Sequence, residues 1–183
     1  MAQVTLLVLG IVLVSAGASF FFALAETALF SLGKWQTQQL KEQDPVRGGN
    51  VAHLLTRSED LLATMVLGNT FANAAMLAVA LWMALAGSWP FWWTVAGLLI
   101  VTLFGCEVLP KTLAVRRPEL WALRVAAPLV IFQRLTLPLR GLAQKFNEFI
   151  LRVTVPQSIQ PQTTLTDADY QELLELATQQ GVR

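Results

Sequence analysis

The sequence predicts an all-α integral membrane protein, and three observations carry this prediction. Hydrophobic residues make up 55% of the 183-residue chain and charged residues only 14%, compared with roughly 25% charged residues in soluble domains. Two long stretches are almost uncharged: residues 4–32 contain only Glu26, and residues 61–106 contain no charge. The basic residues are concentrated outside these stretches. The formal net charge is only +1, so the charge balance gives no reason to expect a nucleic-acid partner.

The uncharged stretches predict three membrane-spanning helices. Residues 4–32 exceed the roughly 20 residues that cross a bilayer core. Residues 61–106 are too long for one helix, and Gly87 and Pro90 mark a turn near their middle. Tryptophans flank this turn, as is typical of a membrane–water interface. We therefore expect spans at about 4–32, 61–86 and 91–109.

The basic residues predict the orientation of these spans. The polar loop at 33–60, which we expect to hold short helical pieces, and the segment after the third span are both basic. The N-terminus and the turn at 87–90 contain no Lys or Arg. Because Lys and Arg accumulate on the cytoplasmic side, the N-terminus is expected outside and the C-terminus in the cytoplasm. The predicted location is a cell membrane, specifically a bacterial or archaeal inner membrane. The basic residues are Lys34, Lys41, Arg47 and Arg57 in the loop, and Lys111, Arg116, Arg117 and Arg124 after the third span.

The segment after the third span predicts a helix that lies along the membrane rather than across it. Residues 119–152 are apolar but interrupted by Pro128 and Pro138, and an uninterrupted apolar run of about a dozen residues is too short to span. We expect an interfacial juxtamembrane (belt) helix; a re-entrant segment is the alternative. Residues 1–152 thus form the predicted transmembrane domain. Residues 153–183 form a linker and a C-terminal acidic cytoplasmic helix, where the chain is expected to stop within a longer cytoplasmic region.

Polar side chains within the spans predict a cation site. Asn69 and Asn73 are four residues apart and share a helical face, as do Ser15 and Ser19 on the first span. With Glu107 on the third span, hydroxyl, amide and carboxylate oxygens could converge. Such hard donors suit Mg²⁺ or Ca²⁺. The alternative for the asparagines is hydrogen bonding between helices.

The third span carries the most informative charge. Ionisable residues inside membranes are rare and point to function, and Glu107 is followed by Pro110, which removes a helical hydrogen bond and exposes carbonyl groups nearby. The alternative is a carboxylate that only pairs with Lys111, one turn further on. Glu26, near the cytoplasmic end of the first span, is either an interfacial salt-bridge residue or a further ligand.

The sequence gives no support for catalysis. It contains no nucleophile–base pair, phosphate-binding loop or zinc signature. Its single cysteine, Cys106, rules out a two-cysteine metal motif within the chain and is expected to be a packing residue. We therefore expect that the protein is not an enzyme.

Four segments resemble the membrane domain of the CorC/CNNM family of magnesium transporters, also known as domain of unknown function number 21. The resemblance covers essentially the whole chain. Its most specific parts are the glycine–asparagine motif of the second span and the E-V-L-P-K-T motif of the third. The segments are FFALAETALFSL (21–32), LLATMVLGNTFANAAMLAVA (61–80), FGCEVLPKTLA (104–114) and YQELLELATQQGVR (170–183).

The resemblance implies a homodimer that exports Mg²⁺ with coupled Na⁺ entry. It also implies that ATP binds only to a pair of CBS modules, which are absent from this chain. In the family picture, Mg²⁺ lies between the three spans. The matching positions here are Ser19, Asn69, Asn73, Glu107 and the backbone of Gly105, with Glu26 as a further candidate.

The chain departs from the family at one position, and one rival function stays open. Relatives often have a serine three residues before the span-one glutamate, where this chain has Ala23. A backbone carbonyl or Ser19 would then take the place of the missing hydroxyl. The rival function is a membrane scaffold or regulator that senses Mg²⁺ and modulates a partner without transporting it.

Overall fold

The computed structural model describes residues 2–135, and this part of the chain consists of helices joined by short turns, without strands. The all-α prediction is therefore confirmed. The helices are α1 (Ala2–Phe30), α2 (Lys34–Gln43), α3 (Arg47–Thr56), α4 (Ser58–Leu85), α5 (Phe91–Ile100), a π-helical segment (Val101–Val108), α6 (Leu109–Arg116) and α7 (Pro118–Leu135).

Three helical stretches within residues 2–135 are long and apolar enough to cross a membrane: Gln3–Phe30, Ser58–Leu85 and Phe91–Arg116. The prediction of three spans is confirmed. Large apolar side chains such as Val14 and Phe71 point outward from these helices. That arrangement suits lipid, because a helix satisfies its own backbone hydrogen bonds.

The third span is longer than predicted, because Pro110 does not end it. Residues 101–108 form a π-helix, and the next helix, α6, begins at Leu109 with the proline in its first turn. A missing N–H group is tolerated at that position. The helical path therefore continues to Arg116 instead of stopping near residue 109.

The polar loop between the first two spans folds into α2 and α3, as the expectation of short helical pieces predicts. The two helices approach closely at Gly48, where an added Cβ would overlap the backbone carbonyl of Leu40. Both residues are buried. The contact therefore depends on the absence of a side chain at position 48.

The main core gathers around the C-terminal half of α1. Its buried side chains come from α1, α3, α4, α6 and α7. Ala25 and Ala28 are fully buried and let neighbouring helices approach. The Phe22 ring occupies the space above Gly68 of α4, where a Cβ would overlap it. This core fixes the first span against the second next to Ser19 of α1 and Asn69 of α4.

Helix α7 corresponds to the start of the predicted juxtamembrane helix. It begins with Pro118, a favoured first residue, and has Glu119 in its first turn. The helix continues through Pro128, which the sequence had suggested as an interruption, and it buries Val125 and Leu129 in the main core. The rest of that predicted helix, with Pro138, and the acidic helix within 153–183 lie outside the described residues.

Candidate functional site

A hydrogen-bonded cluster of three predicted site residues joins the first two spans. The Ser19 hydroxyl is fully buried and donates to Asn69 Oδ1 at 2.6 Å. Asn73 Nδ2 also donates to Asn69 Oδ1, at 3.5 Å. The two amides therefore share a face of α4, as their spacing predicts. We call Ser19, Asn69 and Asn73 the amide cluster.

Two buried oxygen atoms near the centre of the spans have no hydrogen-bond partner among the described residues. They are Oδ1 of Asn73 and Oγ1 of Thr102. A buried polar atom without a partner costs about 1–3 kcal/mol, and such atoms are rare in folded proteins. Asn73 Oδ1 is a pure acceptor, so a cation or a donor is needed to satisfy it.

The π-helical segment frees a backbone carbonyl in the same span. The Gly105 carbonyl would accept from Leu109 in an α-helix or from residue 110 in a π-helix. Leu109 N–H donates instead to the Phe104 carbonyl, and Pro110 has no N–H. The Gly105 carbonyl is therefore left without either helical donor, which is the effect that the proline was expected to have.

Cys106 connects the π-helical segment to the first span by a side-chain contact. Its thiol is buried and makes a weak hydrogen bond to the Ala16 carbonyl, with Sγ 3.7 Å from the oxygen. Ala16 lies one turn before Ser19, so this contact sets the third span beside the amide cluster. The expectation that Cys106 is a packing residue is confirmed.

Glu107 lies next to this region but pairs with a lysine. Its Oε2 is 2.8 Å from Nζ of Lys111, and the two side chains are 34% and 48% exposed. This is the ion pair that the sequence offered as the alternative to a ligand. The asparagines bond to Ser19 and to each other, and within residues 2–135 no hydrogen bond joins Glu107 to either of them.

Glu107 and Thr102 both line a groove of about 570 Å³ whose other walls are leucine and valine side chains of α4, α5 and the π-helical segment. Sequence reasoning did not single out Thr102, because five residues in an α-helix place two side chains on different sides. In a π-helix, which has more residues per turn, residues five apart lie closer to the same face. The signal that could have found Thr102 is therefore the π-helix itself, which the sequence did not predict.

Glu26 lies at a separate groove of about 530 Å³, which it shares with Ser31 and Lys111. Nearby, the Thr27 hydroxyl donates to the Ala23 carbonyl at 3.1 Å. The backbone carbonyl at the position where relatives have a serine thus already accepts a side-chain hydrogen bond. Ser19, one turn earlier, is the hydroxyl that the structure places beside the asparagines.

The candidate site differs from an acidic or thiolate metal centre. No group of three His, Cys, Asp or Glu side chains comes together anywhere in residues 2–135. The available donors are amide, hydroxyl and carbonyl oxygens with one nearby carboxylate. Hard cations such as Mg²⁺, Ca²⁺ and Na⁺ prefer donors of this kind.

The helices and the buried polar cluster define a multi-pass membrane protein. Comparison with known proteins specifies it further: the family described as "Cyclin M transmembrane N-terminal domain" (CNNM) matches residues 9–183. The chain belongs to this family, which is of the membrane-transporter type. The resemblance that the sequence motifs suggested is confirmed.

One curated relative is an inner membrane protein of Escherichia coli (strain K12), the UPF0053 inner membrane protein YfjD. The two sequences are 28% identical over 137 residues, which cover 74% of this chain and 32% of the relative. The chain thus spans about a third of the length of the relative that it matches.

Proposed function

We propose that this domain carries Mg²⁺ across the membrane as the exporting part of a transporter, with Na⁺ entry as the driving reaction. Membership of a family of the transporter type supports a transport function. The hard oxygen donors of the amide cluster, together with the Gly105 carbonyl and the Glu107 carboxylate of the third span, support a small hard cation as the substrate. The absence of a softer ligand set in residues 2–135 argues against zinc or copper as the transported ion.

The observation that carries the proposal is the unpartnered Oδ1 of Asn73. It lies beside an amide that already receives two hydrogen bonds. A cation bound here would satisfy Asn73 Oδ1, and rotation of the Ser19 hydroxyl would free a lone pair of Asn69 Oδ1 for the same ion.

The third span would supply the remaining donors. The Gly105 carbonyl is left without a helical donor, and the Glu107 carboxylate follows it by two residues. A neutral set of amide and hydroxyl oxygens cannot compensate a double charge in a low-dielectric setting, so the carboxylate contributes most of the electrostatic attraction. We assign Ser19, Asn69, Asn73, Gly105 and Glu107 to the site and leave out Glu26, which lines a separate groove.

We further propose that the protein acts as a homodimer in an inner membrane. Three spans enclose little space, and large apolar residues such as Leu99 and Leu103 remain exposed along the third span. A second copy could cover part of this surface. Native mass spectrometry from lipid nanodiscs is expected to give the dimer mass, and a purely monomeric mass would contradict the proposal.

Liposomes that contain only this protein test the transport function. With a magnesium-sensitive dye inside, an opposed Na⁺ gradient should accelerate Mg²⁺ movement at least several-fold over liposomes without protein. Collapsing the Na⁺ gradient should remove most of that increase. A protein that binds Mg²⁺ without moving it would instead be a sensor or regulator.

The orientation of the spans can be tested by labelling in intact cells. Ser88→Cys, in the exposed turn between α4 and α5, should react with a membrane-impermeant thiol reagent, whereas Gln38→Cys, exposed on α2, should not. The native Cys106 is buried and provides the unreactive background. Labelling of Gln38→Cys without labelling of Ser88→Cys would reverse the proposed orientation.

A further inference from the structure

Lys111 has two carboxylates from different spans in its surroundings. It forms the 2.8 Å ion pair with Glu107, one helical turn before it. It also lines the groove that contains Glu26 of α1. The Lys111 ammonium therefore has an ion-paired carboxylate on its own span and a second carboxylate in a shared groove.

We propose that Lys111 is a tethered counter-cation for the ion site. Its ammonium neutralises Glu107 when no metal is bound, and it moves toward Glu26 when Mg²⁺ takes the Glu107 carboxylate. Glu26 thus holds the displaced lysine rather than the metal. This inference rests on the proposed Mg²⁺ site, and it gives roles to two residues that the site itself does not require.

The ion pair with Glu107 is suited to being broken. Both side chains are about one-third to one-half exposed, and an exposed pair four residues apart on a helix contributes little net stability. Lysine also has a flexible four-carbon stem and a compact ammonium group. A divalent ion can therefore displace the lysine at low cost.

The position of Glu26 gives the displaced ammonium a second partner. Without one, Lys111 would stay close to a bound Mg²⁺ and repel it, because like charges a few ångströms apart disfavour each other strongly. Glu26 lies on α1, not on the helix of the pair, and it lines the same groove as Lys111. A change of the lysine side-chain conformation within that groove would therefore bring the ammonium toward Glu26. The total charge of the region then changes only by that of the metal.

Two opposite effects on Mg²⁺ affinity follow. Removing the lysine removes a competitor, so Mg²⁺ should bind more tightly to Lys111→Gln. Removing Glu26 leaves the lysine with Glu107 as its only partner, so Mg²⁺ should bind more weakly to Glu26→Gln. A purely structural role for the Glu107–Lys111 pair predicts no gain of affinity in Lys111→Gln.

Calorimetric titration of the whole chain in nanodiscs with MgCl₂ measures the first effect. Lys111→Gln, with Lys111→Met as a second neutral variant, should lower the Kd by a factor of about three to ten. Lys111→Arg keeps the charge and should not bind Mg²⁺ more tightly than the wild type, because the guanidinium can still pair with Glu107. Arg116→Gln, which removes the same charge further along α6, should also stay within about twofold.

The second effect is measured by a double-mutant cycle. Glu26→Gln should raise the Kd by a factor of about three to ten in the wild type, and by less than about twofold in the Lys111→Gln background. An equal loss in both backgrounds would show that Glu26 binds the metal directly and would overturn its assignment as the lysine's second partner.

Failure of this inference can be told apart from failure of the site. If the wild type binds Mg²⁺ but neither neutral variant at position 111 binds it more tightly, only the counter-cation role is contradicted. If the wild type and all variants fail to bind Mg²⁺ while folded by circular dichroism, the proposed site is wrong and this inference falls with it.

Discussion

Replacing Glu107 by Gln should weaken Mg²⁺ binding at least about tenfold, which corresponds to about 1.4 kcal/mol. Glutamine keeps the size of the side chain and one carbonyl oxygen but removes the charge. Because the other assigned donors are neutral, the carboxylate provides the main attraction for a doubly charged ion. Isothermal titration calorimetry with MgCl₂ on the purified protein in nanodiscs measures the change.

The control for this variant is Glu42→Gln, which removes an equal charge on the exposed face of α2. It should leave the Kd unchanged within error. A carboxylate that serves only to pair with Lys111 would be dispensable for the metal. A folded Glu107→Gln protein that binds Mg²⁺ like the wild type would therefore remove Glu107 from the site.

The Gly48→Ala variant should destabilise the fold by about 1–3 kcal/mol, the usual cost of forcing extra atoms into a packed site. The new methyl group would overlap the backbone carbonyl of Leu40. A backbone atom cannot rotate away as a side chain can, so α2 and α3 must separate. The melting temperature, followed by intrinsic tryptophan fluorescence in detergent, should fall by several degrees.

The neighbouring glycine supplies a matched control. Gly49 lies in the same helix, and nothing stands within 4 Å of a Cβ added there. Gly49→Ala should therefore stabilise the protein by up to about 1 kcal/mol, because alanine favours helix. If both variants shift the melting temperature alike, the close approach of α2 and α3 is not what position 48 requires.

The sequence predicts the spans well because the decisive property is the length of each uncharged stretch. A charge-free run of the length of residues 61–106 must turn once in a bilayer, and Gly87 and Pro90 show where. The pairing of Asn69 with Asn73 is equally accessible, since it depends only on helical periodicity. These features are set within one element of structure.

What the sequence could not predict depends on contacts between elements or on an irregular helix. The hydrogen bond from Ser19 to Asn69 joins residues 50 positions apart, so no local sequence pattern predicts it. Pro110 and Pro128 suggested helix ends, yet both lie within helices. The groove that Lys111 shares with Glu26 likewise depends on how α1 packs against the third span.

The π-helical segment also sets the direction in which the rest of the third span faces. A π-helix holds about one more residue per turn than an α-helix, and each residue of an α-helix turns the chain by about 100°. If residues 101–108 kept their number but formed a regular α-helix, the helix beyond them would be rotated by an angle on the order of 100°. Lys111 would then point away from the groove of Glu26 although no residue had changed. The direction of the Lys111 side chain therefore depends on the backbone geometry of the segment that precedes it.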